Sequence, residues 1–182
     1  MNHYHYEETS MKQVLILLFL LSDLFAGIPL NFSSFEADFV QQINDESKKI
    51  VKYYGKVYAK KPKTALWKYI KPIKKDVYIN DNAVVIVEPE LEQVILRRIA
   101  GDFDIFSLLK RAKKVGKNKY EARYKKTLFT LYFDGKNIQK LVYKDSFENL
   151  VTIIFSNQKY NTKFDKTIFE PKYPKDYDLI LE

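Results

Sequence analysis

At 182 residues the chain has the size of one domain. Zero cysteines exclude disulfides, thiolate metal sites, a cysteine nucleophile and a lipid-modified cysteine, and the two histidines, His3 and His5, both precede the first strongly apolar segment. A hydrophobic fraction of 46% is too high for disorder, and the formal charge of +8 calls for an acidic partner, an anionic surface or a solvated lysine face.

Val14 to Leu21 reads VLILLFLL, with Lys12 before it and Ala26-Gly27 soon after. A cationic start, a short apolar run and a small-residue exit form the layout of an export signal. The run falls far short of the ~20 apolar residues that span a bilayer. Residues 1–26 are therefore expected to be a signal peptide, cut between Ala26 and Pro29. Glu7 and Glu8 make Met11 the better start. Both histidines leave with the signal, so zinc sites and histidine-based triads drop out together. Loss of one lysine and three acids (Lys12, Glu7, Glu8 and Asp23) takes the charge from +8 to +10. An exported, cysteine-free chain fits a bacterial periplasm, which permits disulfides without requiring them. Residues 27–182 are expected to form a single domain.

From Ser34 onward short strands alternate with polar turns. Phe35, Ala37 and Phe39 alternate with Glu36 and Asp38, the period of a half-buried strand. After the turn Asn44 to Ser47, Ile50 to Ala59 returns, and Lys60-Lys61-Pro62-Lys63 breaks it. Ala65 to Ile70 follows, with Trp67 and Tyr69 on one face. Val77 to Ile79 and Ala83 to Val87 form a hairpin about Asn80-Asp81-Asn82. Val94 to Ile99 comes next. The rhythm then changes: Ile105, Leu108, Leu109 and Ala112 recur with helical spacing, which predicts a helix from Asp102 to Lys114 stopped by Gly116. Strands resume at Lys119 to Tyr124, Leu128 to Phe133, Ile138 to Tyr143 and Leu150 to Phe155, the middle pair joined by Asp134-Gly135. A last short strand is expected at Ile168 to Pro171.

Nine or ten antiparallel strands with one helix midway fit a mainly β fold, a single curved sheet or open barrel. Phe35, Ala37, Phe39, Trp67, Val85, Val87, Phe129 and Leu131 are candidates for its concave face. Several strands are apolar on both sides, so either the core is closed or the outer face is covered too. The helix is either a permanent part of the core or a lid over an apolar cavity.

Catalytic motifs are missing. There is no phosphate loop, no dinucleotide fingerprint, no HExxH and no GxSxG. Glu88 with Glu90, and Asp102 with Asp104, are carboxylate pairs, but the first flanks a proline turn and the second suits a helix cap. No enzyme, cofactor or metal site is expected. Lys60, Lys61, Lys63, Lys68, Lys71, Lys74 and Lys75 interleave with Trp67, Tyr69 and Tyr78. That pattern can bind single-stranded nucleic acid, but export argues against it. It more often marks a solvated outer sheet face, and it can also attract anionic headgroups.

The order and spacing of several pieces resemble the LolA family, the periplasmic carriers of outer-membrane lipoproteins. They are Ser34-Phe35-x-Ala37-x-Phe39-x-Gln41, Gly55, Lys61-Pro62, Trp67-x-Tyr69, Pro72, Glu88-Pro89, Gln93 and Phe169-Glu170-Pro171. The resemblance implies an unclosed, strongly curved antiparallel barrel with a helical lid. Its apolar interior would hold the acyl chains of lipoproteins received from an inner-membrane ATP-driven release complex and passed to an outer-membrane acceptor. A monomer with no cofactor and no nucleic-acid partner is expected. Ile105, Phe106 and Leu109 of the lid would fill the empty cavity, and Ala65 joins the cavity candidates. Lys61 stands at the lid-latch position, where the family usually has arginine; as a point donor it lacks the planar fork of a bidentate latch. The alternative is a related periplasmic lipid-binding or envelope-stress-sensing protein of the same open-barrel shape.

Overall fold

The computed structural model describes residues 32–47, 49–80, 83–98, 113–124, 126–135 and 137–182. Twelve strands form one sheet among them. β1 (Ser34–Asn44), β2 (Ile50–Lys60), β3 (Thr64–Lys71), β4 (Lys75–Ile79), β5 (Ala83–Glu88) and β6 (Gln93–Arg98) make one meander. β7 (Lys113–Gly116), β8 (Lys119–Tyr124), β9 (Thr127–Asp134), β10 (Asn137–Lys144) and β11 (Leu150–Tyr160) make a second. β1 pairs with both β2 and β11 and so joins the two meanders at the sheet's centre. β12 (Asp178–Leu181) lies parallel to β6 at one edge, and β7 forms the other. The strand order therefore ends at two unpaired edges rather than closing.

Local chemistry explains the turns. Asp45 accepts the backbone N–H of Lys49 (2.9 Å) and the Ser47 hydroxyl (2.7 Å), which closes the β1–β2 loop. Asp145 repeats the device between β10 and β11, accepting from the backbone of Phe147 (2.8 Å) and Asn149 (3.0 Å). Such side-chain-to-backbone bonds are why Asp opens turns. In the β9–β10 hairpin Gly135 takes φ +57°, a left-handed value that favours glycine. Asn157, at φ 52°, sits in a bulge of β11 and donates its Nδ2 to Asp38 (2.6 Å).

Three expectations need correction. Most of the expected helix Asp102 to Lys114 lies outside the described residues, but Lys113 and Lys114 belong to strand β7. They pair there with Glu121 and Tyr120, and Gly116 ends that strand rather than a helix. Ile168 to Pro171 is not a strand: Lys166–Phe169 is a single 3-10 turn, capped by the Asp165 carboxylate on the Thr167 N–H (2.9 Å). The last strand comes later, and its pairing with β6 is parallel. A parallel edge strand needs a long crossover, which residues 161–177 supply.

That crossover covers the sheet's outer face. Ile168, Phe169 and Tyr177 pack on Leu66, Tyr78, Val85, Val87 and Val94, and Phe164 meets both Tyr58 and Phe169 edge-on. Strands β3 to β6 are apolar on both sides because both sides are covered. Truncating Phe169 to alanine should lower stability by about 1 kcal/mol in urea melts, half the value of fully burying a large aromatic. A change under about 0.5 kcal/mol would mean the tail does not hold the outer face.

Candidate functional site

The inner face is the main core. Side chains from β1 to β6 and from β8 to β11 form one buried apolar cluster, so the sheet curls around a shared interior. Phe35, Ala37, Phe39, Ala65, Trp67, Phe129 and Leu131 all lie in it, brought together as the alternation of their strands requires. Aromatic rings dominate its centre. Phe39 meets Trp67 at 4.9 Å and Tyr69 at 5.1 Å, and Trp67 meets Phe155 at 6.3 Å. On the other arm Phe129 stacks on Tyr143 at 5.3 Å.

Val85 and Val87 do not join them. In β5 it is Val84 and Ile86 that point inward, while Val85 and Val87 pack under the C-terminal crossover. Alternation alone names two faces without saying which is inner, and here both are apolar. Lys61 is exposed in the β2–β3 turn, where its backbone N–H donates to the Ser33 carbonyl at 3.0 Å. Ile105, Phe106 and Leu109 lie outside the described residues.

A row of polar side chains crosses the inner face at the end that carries the β1–β2, β3–β4 and β5–β6 turns. The Tyr69 hydroxyl donates to Gln41 Oε1 at 2.8 Å. Lys75, directly across from Tyr69 in the ladder, holds its ammonium 5.2 Å from that ring. Its Nζ lies 3.9 Å from Glu88 Oε1, and Gln93 Nε2 donates to Glu88 Oε2 at 2.6 Å. The Lys75 and Glu88 side chains are only 7% and 2% exposed. Burial pushes the Lys75 ammonium below the usual lysine range, and the Glu88 charge opposes that shift. Burial likewise pushes the Tyr69 hydroxyl well up, with Tyr53 adding to the effect.

Lys75 was expected on a solvated face with Lys68, and the structure separates the two. Lys75 shares the phase of Val77 and Ile79, so it points inward. Lys68 points outward and pairs with Asp76 at 3.2 Å. Outside, Lys56 with Asp38 (3.1 Å) and Lys159 with Glu36 (3.5 Å) complete a ladder of opposite charges across the sheet. Of the lysines read as a solvated face, Lys68 is therefore exposed and Lys75 is not. Glu88 and Glu90 do not form a carboxylate pair, since Glu88 is buried and Glu90 lies exposed in the turn after it. Among the described residues no group of three or more His, Cys, Asp or Glu side chains could hold a metal ion.

Residues 31–127 match the family described as outer membrane lipoprotein carrier protein LolA. The chain belongs to the LolA family. The outer-membrane lipoprotein carrier protein of Campylobacter jejuni is 34% identical over 170 residues, covering 93% of this chain and 99% of that relative. The Helicobacter pylori protein of the same description is 38% identical, covering 92% and 95%. Among solved structures, a LolA superfamily protein of Nitrosomonas europaea aligns with TM-score 0.50 at 10% identity, over 85% of this chain and 96% of that one. At that identity the likeness concerns the fold. The match to the LolA family spans β1 to β8 and contains Gln41, Trp67, Tyr69, Lys75, Glu88 and Gln93, the whole of the polar row and the single tryptophan.

Proposed function

We propose that the chain is a periplasmic carrier that takes the acyl chains of outer-membrane lipoproteins against its concave face. In this reading it collects them from an inner-membrane ATP-driven release complex and hands them to an outer-membrane acceptor. The observation that carries the proposal is the shape of the core. One apolar face, drawn from ten strands, lines a sheet whose order ends at two edges. A closed barrel has its radius set by strand number and shear. An unclosed one can widen along its free edges without breaking ladder hydrogen bonds, so the interior can admit chains and expel them. Each CH₂ hidden from water is worth ~0.8 kcal/mol, so acyl chains cannot cross an aqueous space uncovered. No bond is made or broken in such a task, in keeping with a sequence bare of catalytic motifs.

Release requires that the filled and empty states differ in what covers the apolar face. Ile105, Phe106 and Leu109 are assigned to that cover: they occupy the interior without cargo and leave when it enters. Residues 1–26 are assigned to export. The decisive experiment is depletion of the protein from the cell that makes it. Lipoproteins should then accumulate in the inner membrane, and their normal arrival in the outer membrane would sink the carrier reading. Trp67 is the only tryptophan of the chain. It is fully buried between Phe39 and Phe155, so its emission reports loading directly.

A further inference from the structure

Two hydrogen-bond donors are stranded in the apolar interior. Gln41 is 1% exposed and Trp67 is 0% exposed. Gln41 Nε2 and Trp67 Nε1 have no acceptor among the described residues. Both belong to the inner face: Gln41 is held by the Tyr69 hydroxyl, and Trp67 packs edge-on against Phe39, which also touches Tyr69. A buried N–H without a partner costs stability, so native proteins rarely leave one. A phenylalanine in place of Trp67 would avoid that cost, and Gln41 satisfies the Tyr69 hydroxyl through its Oε1 alone, which leaves its Nε2 over. The donors therefore invite an acceptor that arrives from outside.

The chemistry narrows the acceptor. Both stranded groups are neutral N–H donors. The cation of the adjacent row, Lys75, is already set against Glu88 and the Tyr69 ring. A phosphate or carboxylate would bring an unpaired negative charge into a low-dielectric interior, which is strongly disfavoured. A hydrocarbon chain offers no acceptor at all. A neutral carbonyl oxygen accepts without donating and carries no net charge, so it suits an indole N–H and an amide N–H within an apolar lining.

We propose that Gln41 Nε2 and Trp67 Nε1 each offer a polar seat to an ester carbonyl oxygen at the head of a bound acyl chain, the chains themselves running over the apolar face. This rests on the carrier reading and adds to it: the site would recognise acyl esters rather than hydrocarbon alone. Diacylglyceryl esters occur both on lipoproteins and in phospholipids, and the two sources share this chemistry.

The test compares ester with ether. Binding to the intact protein is measured by displacement of an apolar fluorescent dye. The competitors are a diacylglyceryl lipopeptide, its dialkyl ether analogue of equal chain length, and the corresponding ester and ether phospholipids. Ester-linked lipopeptide should bind about tenfold tighter than the ether, the typical loss when a buried donor goes unpaired. In the double variant Gln41→Leu/Tyr69→Phe, which also removes the hydroxyl that Gln41 Oε1 accepts, and in Trp67→Phe that ratio should fall toward one, with ether binding retained. A matching ratio for the phospholipids would assign the seats to diacylglyceryl esters in general, and a ratio confined to the lipopeptide would assign them to lipoprotein cargo. Equal binding of ester and ether lipopeptides by the unaltered protein would overturn the seats while leaving the carrier standing. Failure to bind either would overturn both. The comparison on the unaltered protein needs no variant to fold.

Discussion

Gly55→Ala should destabilise the protein by about 3 kcal/mol, the upper part of the range for forcing atoms into a packed core. Gly55 lies between Phe39 and Tyr69 in the ladder, beside a register shift in the β2–β3 pairing. A Cβ there would meet the Lys68 carbonyl oxygen of the neighbouring strand and stand 2.7 and 2.8 Å from two atoms of the Phe39 ring. The ring could tilt away, but the carbonyl belongs to the ladder and moves only with the strand. Gly55 is thus the gap over which the Phe39 ring lies, and that placement sets its contacts with Trp67 and Tyr69. The expected result is a lower urea midpoint with an unchanged slope, together with altered Trp67 emission. Loss of less than about 0.5 kcal/mol would show that the strands separate easily at this point.

The legible part of the fold was the part written in period two with strong turn chemistry. Phe35-x-Ala37-x-Phe39 named both a strand and its inner face. Asp134-Gly135 placed a hairpin, and Asn80 to Asn82 another. Trp67 and Tyr69 share a face as their spacing demands. What escaped depended on long-range pairing. Lys113 and Lys114 follow an apolar stripe of helical spacing, yet they are strand because Glu121 and Tyr120 lie opposite them. Asp178 to Leu181 becomes a strand only because the crossover delivers it to the free edge of β6. Val85 and Val87 look identical in kind to Val84 and Ile86. Only the cover supplied by Ile168, Phe169 and Tyr177 tells the two faces apart.

The site was half legible for a related reason. Apolar residues at inward phase could be named from the sequence, because burial follows from alternation. Lys75 and Glu88 share the inward phase of Val77 and Ile86, but a charged residue is ordinarily read as exposed. The signal that could have found them was the phase itself: an inward lysine and an inward glutamate, each at the end of an otherwise apolar inward series, on neighbouring strands. Gln41 carried the same signal after Phe35, Ala37 and Phe39. These departures from an all-apolar interior gather at one end of one face, where a site would be expected rather than a random scatter of errors.

Lys75→Met should lower stability by about 3 kcal/mol, because removing one member of a buried pair leaves the other charge uncompensated. Glu88 would keep the Gln93 amide as its one polar contact from the row. Adding Glu88→Gln to Lys75→Met should restore most of the loss, since the pair itself contributes little net stability once its desolvation is counted. The pH dependence gives a second, independent reading. The Lys75 ammonium is pushed below the ordinary value of 10.5 by burial, so over the interval between its folded value and 10.5 the unfolded chain holds more protons. Stability contributed by this group therefore rises with pH across that interval and is flat below it. Tyr69 and Tyr143 act in the opposite sense: burial raises both above 10.0, so the folded state keeps their protons and loses stability as pH climbs past that value. Those two tyrosines remain in the double variant, so subtracting its stability from that of the unaltered protein cancels them. The difference should stay constant through neutral pH and shift in favour of the unaltered protein as the solution approaches pH 10.5. A flat difference throughout would mean that Lys75 keeps its charge at no cost, the attraction of Glu88 offsetting the loss of water in full.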